Sequence, residues 1–207
     1  MEIQRESMEY DVVIVGAGPA GLATSIKLKQ INPDLNVCIL EKGSEVGAHI
    51  LSGNVFETRA LDELIPDWKE KGAPIKTKVK KEKFLFLGKK SSLSWPTWLL
   101  PSVQKNHKNY IISLANLCRW LAEQAESLGV EIFPGFAASK IIYDEDEKII
   151  GVQTGDMGID KEGNKKDSFE PGLNIMAKVT VFSEGCRGHL GKEVIKKYKL
   201  DNNKSPQ

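Results

Sequence analysis

The sequence predicts an α/β fold, namely a Rossmann-like nucleotide-binding domain that is interrupted by an inserted β-rich segment. Two observations support this prediction. The first 41 residues show a strand, a helix and a second strand in succession, and a glycine-rich turn joins the first strand to the helix. The chain has 207 residues, 41% of them hydrophobic, which is enough to bury the core of one ordinary domain or slightly more.

The βαβ unit is built from two continuous apolar runs. Asp11 to Val15 (DVVIV) is typical of a strand buried on both faces, as in a parallel sheet. A helix is predicted from Ala20 to Gln30, and Asn32-Pro33 ends it. Asn36 to Glu41 (NVCILE) is the second buried strand, which completes the unit.

The turn between strand and helix carries the pattern GxGxxG. Gly16 permits the tight turn, Gly18 lets a pyrophosphate approach the backbone, and Gly21 lets the helix pack closely. Free N–H groups at the helix N-terminus favour the phosphates. Glu41 follows twenty residues after Gly21, where an acidic residue accepts hydrogen bonds from the ribose hydroxyls. The predicted pyrophosphate-binding residues are Gly16, Ala17, Gly18, Pro19, Ala20 and Gly21.

The remaining elements are predicted in chain order from the hydrophobic pattern and the positions of Gly and Pro. They are a short helix 58–65, a strand 76–87, an apolar cluster with two prolines at 92–104, a long helix 110–128, a strand 130–133, a hairpin 137–154, a polar loop 156–172, a buried strand 177–185 and a helix 188–200.

This order favours FAD over NAD as the dinucleotide. A plain NAD domain continues βαβαβ, whereas this chain leaves the sheet after Glu41 and returns with a late strand that ends in SEGCRG. A strand ending in Glu184–Gly185 resembles the late segment of FAD domains of the glutathione-reductase type. The loop 42–53 would then line the site toward the flavin.

Composition excludes several other classes of protein. Lys and Arg number 29 and Asp and Glu 28, so the formal net charge is +1 and no nucleic-acid partner is expected. Cys38, Cys118 and Cys186 form no CxxC pair, which argues against a disulfide framework or a zinc ribbon. Cys186 is expected to be buried beside the cofactor. No signal or transit peptide is expected at the N-terminus, and no apolar run is long enough to span a bilayer.

Several longer motifs resemble one family. GAHILSG at 47–53, PDWKEKGAP at 66–74, NYIISL at 109–114 and VTVFSEGCRGHL at 179–190 are similar to the electron-transfer-flavoprotein:ubiquinone oxidoreductase family over about Tyr10 to Leu200. The resemblance implies an enzyme with FAD and a [4Fe-4S] cluster, which transfers electrons from reduced electron-transfer flavoprotein to ubiquinone. It also implies peripheral binding to the cytoplasmic face of a bacterial inner membrane, or to the mitochondrial inner membrane in eukaryotic relatives.

The resemblance also assigns site residues and domains. It implies no catalytic acid, base or nucleophile, and no metal ligand within this chain. Residues 1–74 and 106–207 are expected to form two parts of the FAD-binding domain, with 75–105 as an inserted quinone-domain segment that faces the membrane. Further cofactor-binding residues are predicted to be Glu41 and Lys42, His49, Leu51, Ser52 and Gly53 near the flavin, Ala137 and Ala138 near the adenine, and Glu184 and Gly185.

The insertion carries a candidate membrane-facing surface. Trp95, Trp98, Leu99 and Leu100 lie between lysines, a composition typical of interfacial anchors, although a core-packing loop would also account for them.

The chain resembles only the N-terminal third of the family, so we expect it to be inactive alone. Two alternatives stay open at this point: a related FAD-dependent reductase or monooxygenase, such as a geranylgeranyl-reductase-like protein, or a non-catalytic FAD- or ADP-binding fragment.

Overall fold

A computed structural model describes residues 4–51, 53–202 and 204. Its strands, in chain order, are β1 (Ser7–Val15), β2 (Val37–Glu41), β3 (Asn54–Phe56), β4 (Thr77–Lys78), β5 (Phe84–Leu87), β6 (Ser92–Trp95), β7 (Tyr110–Ile112), β8 (Glu131–Pro134), β9 (Ala138–Tyr143), β10 (Ile149–Thr154), β11 (Met157–Ile159), β12 (Lys165–Glu170) and β13 (Asn174–Phe182). Its α-helices are α1 (Pro19–Ile31), α2 (Arg59–Leu64), α3 (Leu114–Ser127) and α4 (Leu190–Tyr198), and 3-10 turns lie at Thr97–Leu99 and Ser102–Gln104.

The chain divides into two compact units. The first unit comprises Met1–His49 with Leu121–Gln207, and the second comprises Ile50–Trp120. These bounds differ from the predicted domain bounds at 74/75 and 105/106, which concern the FAD and quinone domains and stay a prediction.

A six-stranded sheet forms the centre of the first unit, in the order β8-β2-β1-β13-β10-β9. The first four of these strands run parallel, and β10 and β9 extend the sheet antiparallel. This is the predicted α/β fold, with a Rossmann-like parallel core and β2 beside β1. The sheet is buried on both faces at β1 and β2, which explains why both strands are continuous apolar runs.

Two sets of side chains cover the two faces of this sheet. One face carries the hydrophobic cluster that includes Val13, Cys38, Ile175 and Leu190. The helix α1 packs against β1 and β2, and its Leu22 and Ile26 are fully buried. These contacts fix the ends of β1 and β2 relative to the start of α1.

The second unit contains a three-stranded sheet in the order β3-β7-β4 and a separate hairpin of β5 and β6. Trp68 is buried in this unit, where its ring meets Tyr110 edge to face and its Nε1 donates to Asp62 at 2.7 Å. The carboxylate of Asp62 therefore has a lowered pKa, because the Trp68 and Thr58 side chains donate to it.

Three element predictions are wrong in detail. The long helix begins at Leu114 rather than at 110, because Tyr110–Ile112 is the central strand between β3 and β4. The strand predicted at 76–87 is two short strands, β4 and β5, which pair with different partners. The polar loop predicted at 156–172 contains the hairpin β11–β12.

Candidate functional site

The carboxyl ends of four parallel strands lie at one edge of the sheet in the first unit. Val15 of β1 pairs with Leu40 of β2 and with Phe182 of β13, and Glu41 pairs with Pro134 of β8. The loops that begin at residues 16, 42, 135 and 183 therefore leave the sheet at the same edge. In open α/β sheets this edge is where ligands bind.

Two glycines of the GxGxxG turn are required by packing. Gly16 has φ +105°, and a Cβ there would lie 2.6 Å from the carbonyl oxygen of Ser183. A Cβ on Gly21 would lie 2.1 Å from the carbonyl oxygen of Gly16 and 3.2 Å from a methyl of Ile14. Both positions therefore hold the turn against β13 and the helix against β1, as the spacing predicts.

Gly18 has a different environment. Its φ is −79°, a Cβ there would meet nothing within 4 Å, and it precedes α1 without a side-chain cap. Within the described residues, the N–H groups of Gly18, Ala20 and Gly21 donate no hydrogen bond to the protein. The first turn of α1 also contains no acidic residue. This helix N-terminus is therefore open, uncapped and suited to a phosphate group.

Glu41 is held in place by the loops on both sides of it. Its Oε2 accepts a hydrogen bond from the N–H of Ala17 at 2.9 Å, and its Oε1 accepts one from the N–H of Gly43 at 2.7 Å. The carbonyl of Gly43 in turn accepts from the N–H of Gly135 at 2.7 Å. Each carboxylate oxygen keeps acceptor capacity, so the two oxygens can also accept the two ribose hydroxyls.

Ala137 and Ala138 lie on the loop that follows β8, the strand next to β2. Ala137 is exposed, and its carbonyl accepts from the N–H of Gly155 at 2.9 Å, whereas Ala138 is half-buried at the start of β9. Their predicted contact with the adenine stays a prediction. Lys42 directly follows Glu41 and is exposed.

The segment after β13 approaches the glycine-rich turn through its backbone. The N–H of Ser183 donates to the carbonyl of Val15 at 2.8 Å, and Gly185 is exposed with φ +74°. The carboxylate of Glu184 accepts from the N–H groups of His189, Leu190 and Gly191, at 3.1, 3.3 and 2.7 Å.

Glu184 thus caps helix α4 in this structure, a role that the sequence pattern did not indicate. A cofactor contact by Glu184 or Gly185 stays a prediction.

The expectation that Cys186 is buried is wrong, because this residue is exposed. Cys38 and Cys118 are buried, and burial raises the pKa of the Cys38 thiol to about 12.

The predicted flavin-side loop crosses the boundary between the two units. His49 is the last residue of Met1–His49, the first of the two segments that form the first unit, and it is exposed in a turn. Leu51 belongs to the second unit and is 90% exposed. Gly53 has φ +84° just before β3, and Ser52 lies outside the described residues. The assignment of these four residues to the flavin side stays a prediction.

The hairpin of β5 and β6 in the second unit carries exposed apolar side chains, and so does the turn that follows it. Trp95, Trp98 and Leu99 are 41%, 75% and 50% exposed. Leu100 is only 8% exposed, so the prediction that it lies on this surface is wrong.

Within the described residues, no group of His, Cys, Asp or Glu could hold a metal ion, and no helix is long and apolar enough to cross a bilayer.

Several solved structures have a similar fold. A geranylgeranyl bacteriochlorophyll reductase-like protein from Thermoplasma acidophilum has a TM-score of 0.59 at 21% identity, over 85% of this chain and 39% of its own. Thermovibrio ammonificans THI4 has a TM-score of 0.58 at 17% identity, over 92% and 63%. Residues 1–63 also match the model of the Thi4 family. The chain therefore has the Rossmann-like FAD-domain fold of FAD-dependent oxidoreductases, as the sequence predicted.

Curated relatives narrow this class to one group. The probable electron transfer flavoprotein-ubiquinone oxidoreductase of Acinetobacter baylyi is 54% identical over 99% of this chain, and that of Pseudomonas aeruginosa is 55% identical over 99%. The mitochondrial protein of Sus scrofa is 48% identical over the whole chain. The chain spans 37%, 38% and 34% of these relatives and matches their N-terminal part. The predicted resemblance is thus confirmed for that part.

Proposed function

We propose that this chain is the FAD-holding N-terminal part of an oxidoreductase that passes electrons from reduced electron transfer flavoprotein to ubiquinone in a respiratory chain. The supporting observation is the identity of 54–55% over 99% of the chain to relatives with that name. Solved structures below 25% identity support only the fold, so the reductase and monooxygenase alternatives have no comparable support.

The glycine-rich turn and Glu41 fit the adenosine half of FAD. The open N–H groups of Gly18, Ala20 and Gly21 would bind the pyrophosphate, and the dipole of α1 favours its charge. Glu41 would orient the ribose through both carboxylate oxygens, which the N–H groups of Ala17 and Gly43 already fix in position. When bound, FAD supplies the redox chemistry. We assign no acid, base or nucleophile, since electron transfer depends on distance and potential.

The other cofactor and partners follow from the same proposal. The [4Fe-4S] cluster would lie in the part of the longer relatives that this chain does not match. The second unit would contribute to the quinone and membrane side through the exposed hairpin, so that the protein binds peripherally to the cytoplasmic face of a bacterial inner membrane.

Trp98→Ser should then weaken binding to lipid vesicles, whereas Ile159→Ser, on the exposed β11–β12 hairpin, should not.

Flavin titration tests the central part of this proposal. The full chain is titrated with FAD, and quenching of flavin fluorescence gives the Kd. Glu41→Gln replaces one acceptor oxygen with an amide group, which cannot accept from a backbone N–H, so the Kd should rise about tenfold or more. Glu162→Gln, at an exposed hairpin turn, is the matched control. Equal affinities of wild type and Glu41→Gln would argue against the proposed ribose site.

A further inference from the structure

The segment 76–108 of the second unit has an unusual charge. It contains nine lysines and one glutamate, which give a formal charge of +8 in a chain whose net charge is +1. The remaining residues together therefore carry −7. The segment contains neither Asp nor Arg, and its lysines are Lys76, Lys78, Lys80, Lys81, Lys83, Lys89, Lys90, Lys105 and Lys108.

Among the residues that the structure describes, no acidic side chain forms an ion pair with these lysines. Eight of the nine lysines are exposed, and Lys105 is half-buried. The single acidic residue, Glu82, accepts instead from the backbone N–H and the side-chain amide of Asn106, at 2.9 and 3.2 Å. Lys105 donates to the carbonyl of Trp98 at 3.2 Å, and the Nζ of Lys78 lies 5.8 Å from the centre of the Tyr110 ring. Neither contact neutralises the charge, so the segment can still attract an external anionic partner.

The same segment presents an apolar face beside these charges. The register pairs Phe84 with Trp95 and Phe86 with Leu93, so these four side chains share one face of the β5–β6 hairpin. The ring of Phe86 meets those of Phe84 and Trp95 edge to face at 5.4 and 5.9 Å, yet all four side chains stay at least 37% exposed. Within the described part of the chain, this apolar face is therefore largely open to solvent.

Two lysines lie at the tip of this hairpin. The N–H of Gly88 donates to the carbonyl of Ser91 at 2.8 Å, which closes the turn and places Lys89 and Lys90 between them. Trp98 and Val103, on the 3-10 turns that follow, are 75% and 90% exposed. Lysines at 83, 89, 90 and 105 therefore flank two stretches with exposed apolar side chains. We call the exposed side chains of 76–108 the hairpin surface.

We propose that the hairpin surface recognises the anionic headgroups of a phospholipid bilayer, so that its lysines select the lipid while its apolar side chains enter the interface. This rests on the proposed membrane association and adds a lipid specificity to it. Charge complementarity supports a bilayer, since each lysine near an anionic membrane strengthens binding. Protein interfaces are depleted in Lys and enriched in Arg, so a segment with nine lysines and no arginine fits a protein partner less well.

Vesicle binding tests this inference with the full chain. Cosedimentation is measured with vesicles of phosphatidylcholine alone and with vesicles in which about a third of the lipid is phosphatidylglycerol. The double variant Lys89→Gln/Lys90→Gln should lower the partition coefficient on the anionic vesicles by about 25-fold, since each lysine contributes about fivefold. Its binding to neutral vesicles should stay unchanged. Lys161→Gln with Lys166→Gln removes the same charge from the β11–β12 hairpin and should change neither.

The outcomes separate this inference from the proposed function. Raising the salt to about 0.5 M should bring binding on anionic vesicles down to the level on neutral ones. The lipid specificity is overturned if wild type binds equally to both kinds of vesicle, or if the two double variants have equal effects. In either case, weaker vesicle binding by Trp98→Ser would still support membrane association. Binding to neither vesicle overturns both, and the flavin titration is unaffected. If Lys89→Gln with Lys90→Gln weakens binding of electron transfer flavoprotein instead of vesicles, the surface is a protein site.

Discussion

Gly18 and Gly21 belong to one fingerprint but have different physical roles. A side chain on Gly21 would collide with the backbone of Gly16 at 2.1 Å, so this glycine is required by the fold itself. Gly18 has φ −79° and open space where its Cβ would stand, so only an approaching ligand requires a glycine there. The distinction between packing and binding is visible only in the structure.

Substitution by alanine should separate these roles. Gly21→Ala should lower the free energy of unfolding by about 2 kcal/mol, because the backbone must move to admit the methyl group. Gly18→Ala should change it by no more than about 0.5 kcal/mol but raise the Kd for FAD about tenfold. Urea denaturation and flavin titration measure the two quantities. A Gly18→Ala variant that binds FAD like wild type would contradict the assignment of the phosphate site.

Asp156 forms a partly buried pair with Arg5, with bidentate hydrogen bonds, and it also accepts from the N–H of Gly172 at 2.8 Å. The Arg5 guanidinium, and then this N–H, lower the pKa of Asp156 to about 2. Because the pKa is lower in the folded state, the stabilisation is complete above the unfolded pKa of about 3.9 and is lost as the pH falls toward 2.

Asp156→Asn should therefore destabilise the protein in a pH-dependent way. We expect a loss of about 1–2 kcal/mol at pH 7, since hydrogen bonds to a charged group are removed. The difference from wild type should narrow as the pH falls from about 4 toward 2. Denaturant unfolding across this range gives the difference, with Asp167→Asn on β12 as an exposed control. A difference that is constant with pH would show that the ion pair is not its source.

Helix α4 illustrates the element scale, because its N-terminus depends on a residue that lies outside the helix. The carboxylate of Glu184 accepts from three N–H groups in the region 189–191, and its charge also suits the helix dipole. A Cβ on Gly188 would lie 2.6 Å from the Cβ of Glu184, so the small residue there permits this close approach.

Glu184→Gln should loosen this helix. One amide oxygen replaces two carboxylate oxygens, so we expect a loss of about 1–2 kcal/mol and faster hydrogen exchange at the amides of 189–191. Glu193→Gln, an exposed change in the first turn of the same helix, should alter stability by no more than about 0.5 kcal/mol. If both variants exchange alike, the cap does not hold the helix start.

The elements that differ from prediction share a physical cause. Tyr110–Ile112 continues the apolar pattern of α3, and only the hydrogen-bonded pairing with β3 and β4 makes it a strand. The hairpin β11–β12 is exposed on most of both strands, so no alternation of apolar and polar residues indicated it. Local pattern predicts an element where one face is buried, and fails where pairing alone decides.

At the scale of the whole molecule, this chain corresponds to a part of its relatives. It spans 37% of the Acinetobacter baylyi protein and 38% of the Pseudomonas aeruginosa protein. The predicted FAD site uses loops of the first unit, whereas Leu51 and Gly53 lie in the second unit.

The chain alone should show no turnover. We expect no reduction of a soluble ubiquinone analogue by reduced electron transfer flavoprotein in the presence of this chain and added FAD, because the proposed [4Fe-4S] cluster would lie in the part of the relatives that this chain does not match. The Pseudomonas aeruginosa relative is the positive control in the same spectrophotometric assay. Turnover by the chain at the rate of that relative would contradict this expectation.

The sequence by itself determined the βαβ unit, the GxGxxG turn, Glu41 and the family that these and the longer motifs resemble. Those features are local: spacing fixes which backbone groups can reach a phosphate, and an apolar run fixes a buried strand. Only the tertiary structure decided that Glu184 caps α4, that Leu100 is buried and that Tyr110–Ile112 is a strand. These outcomes depend on which distant atoms come within hydrogen-bonding or packing distance, and no local pattern in the chain encodes that.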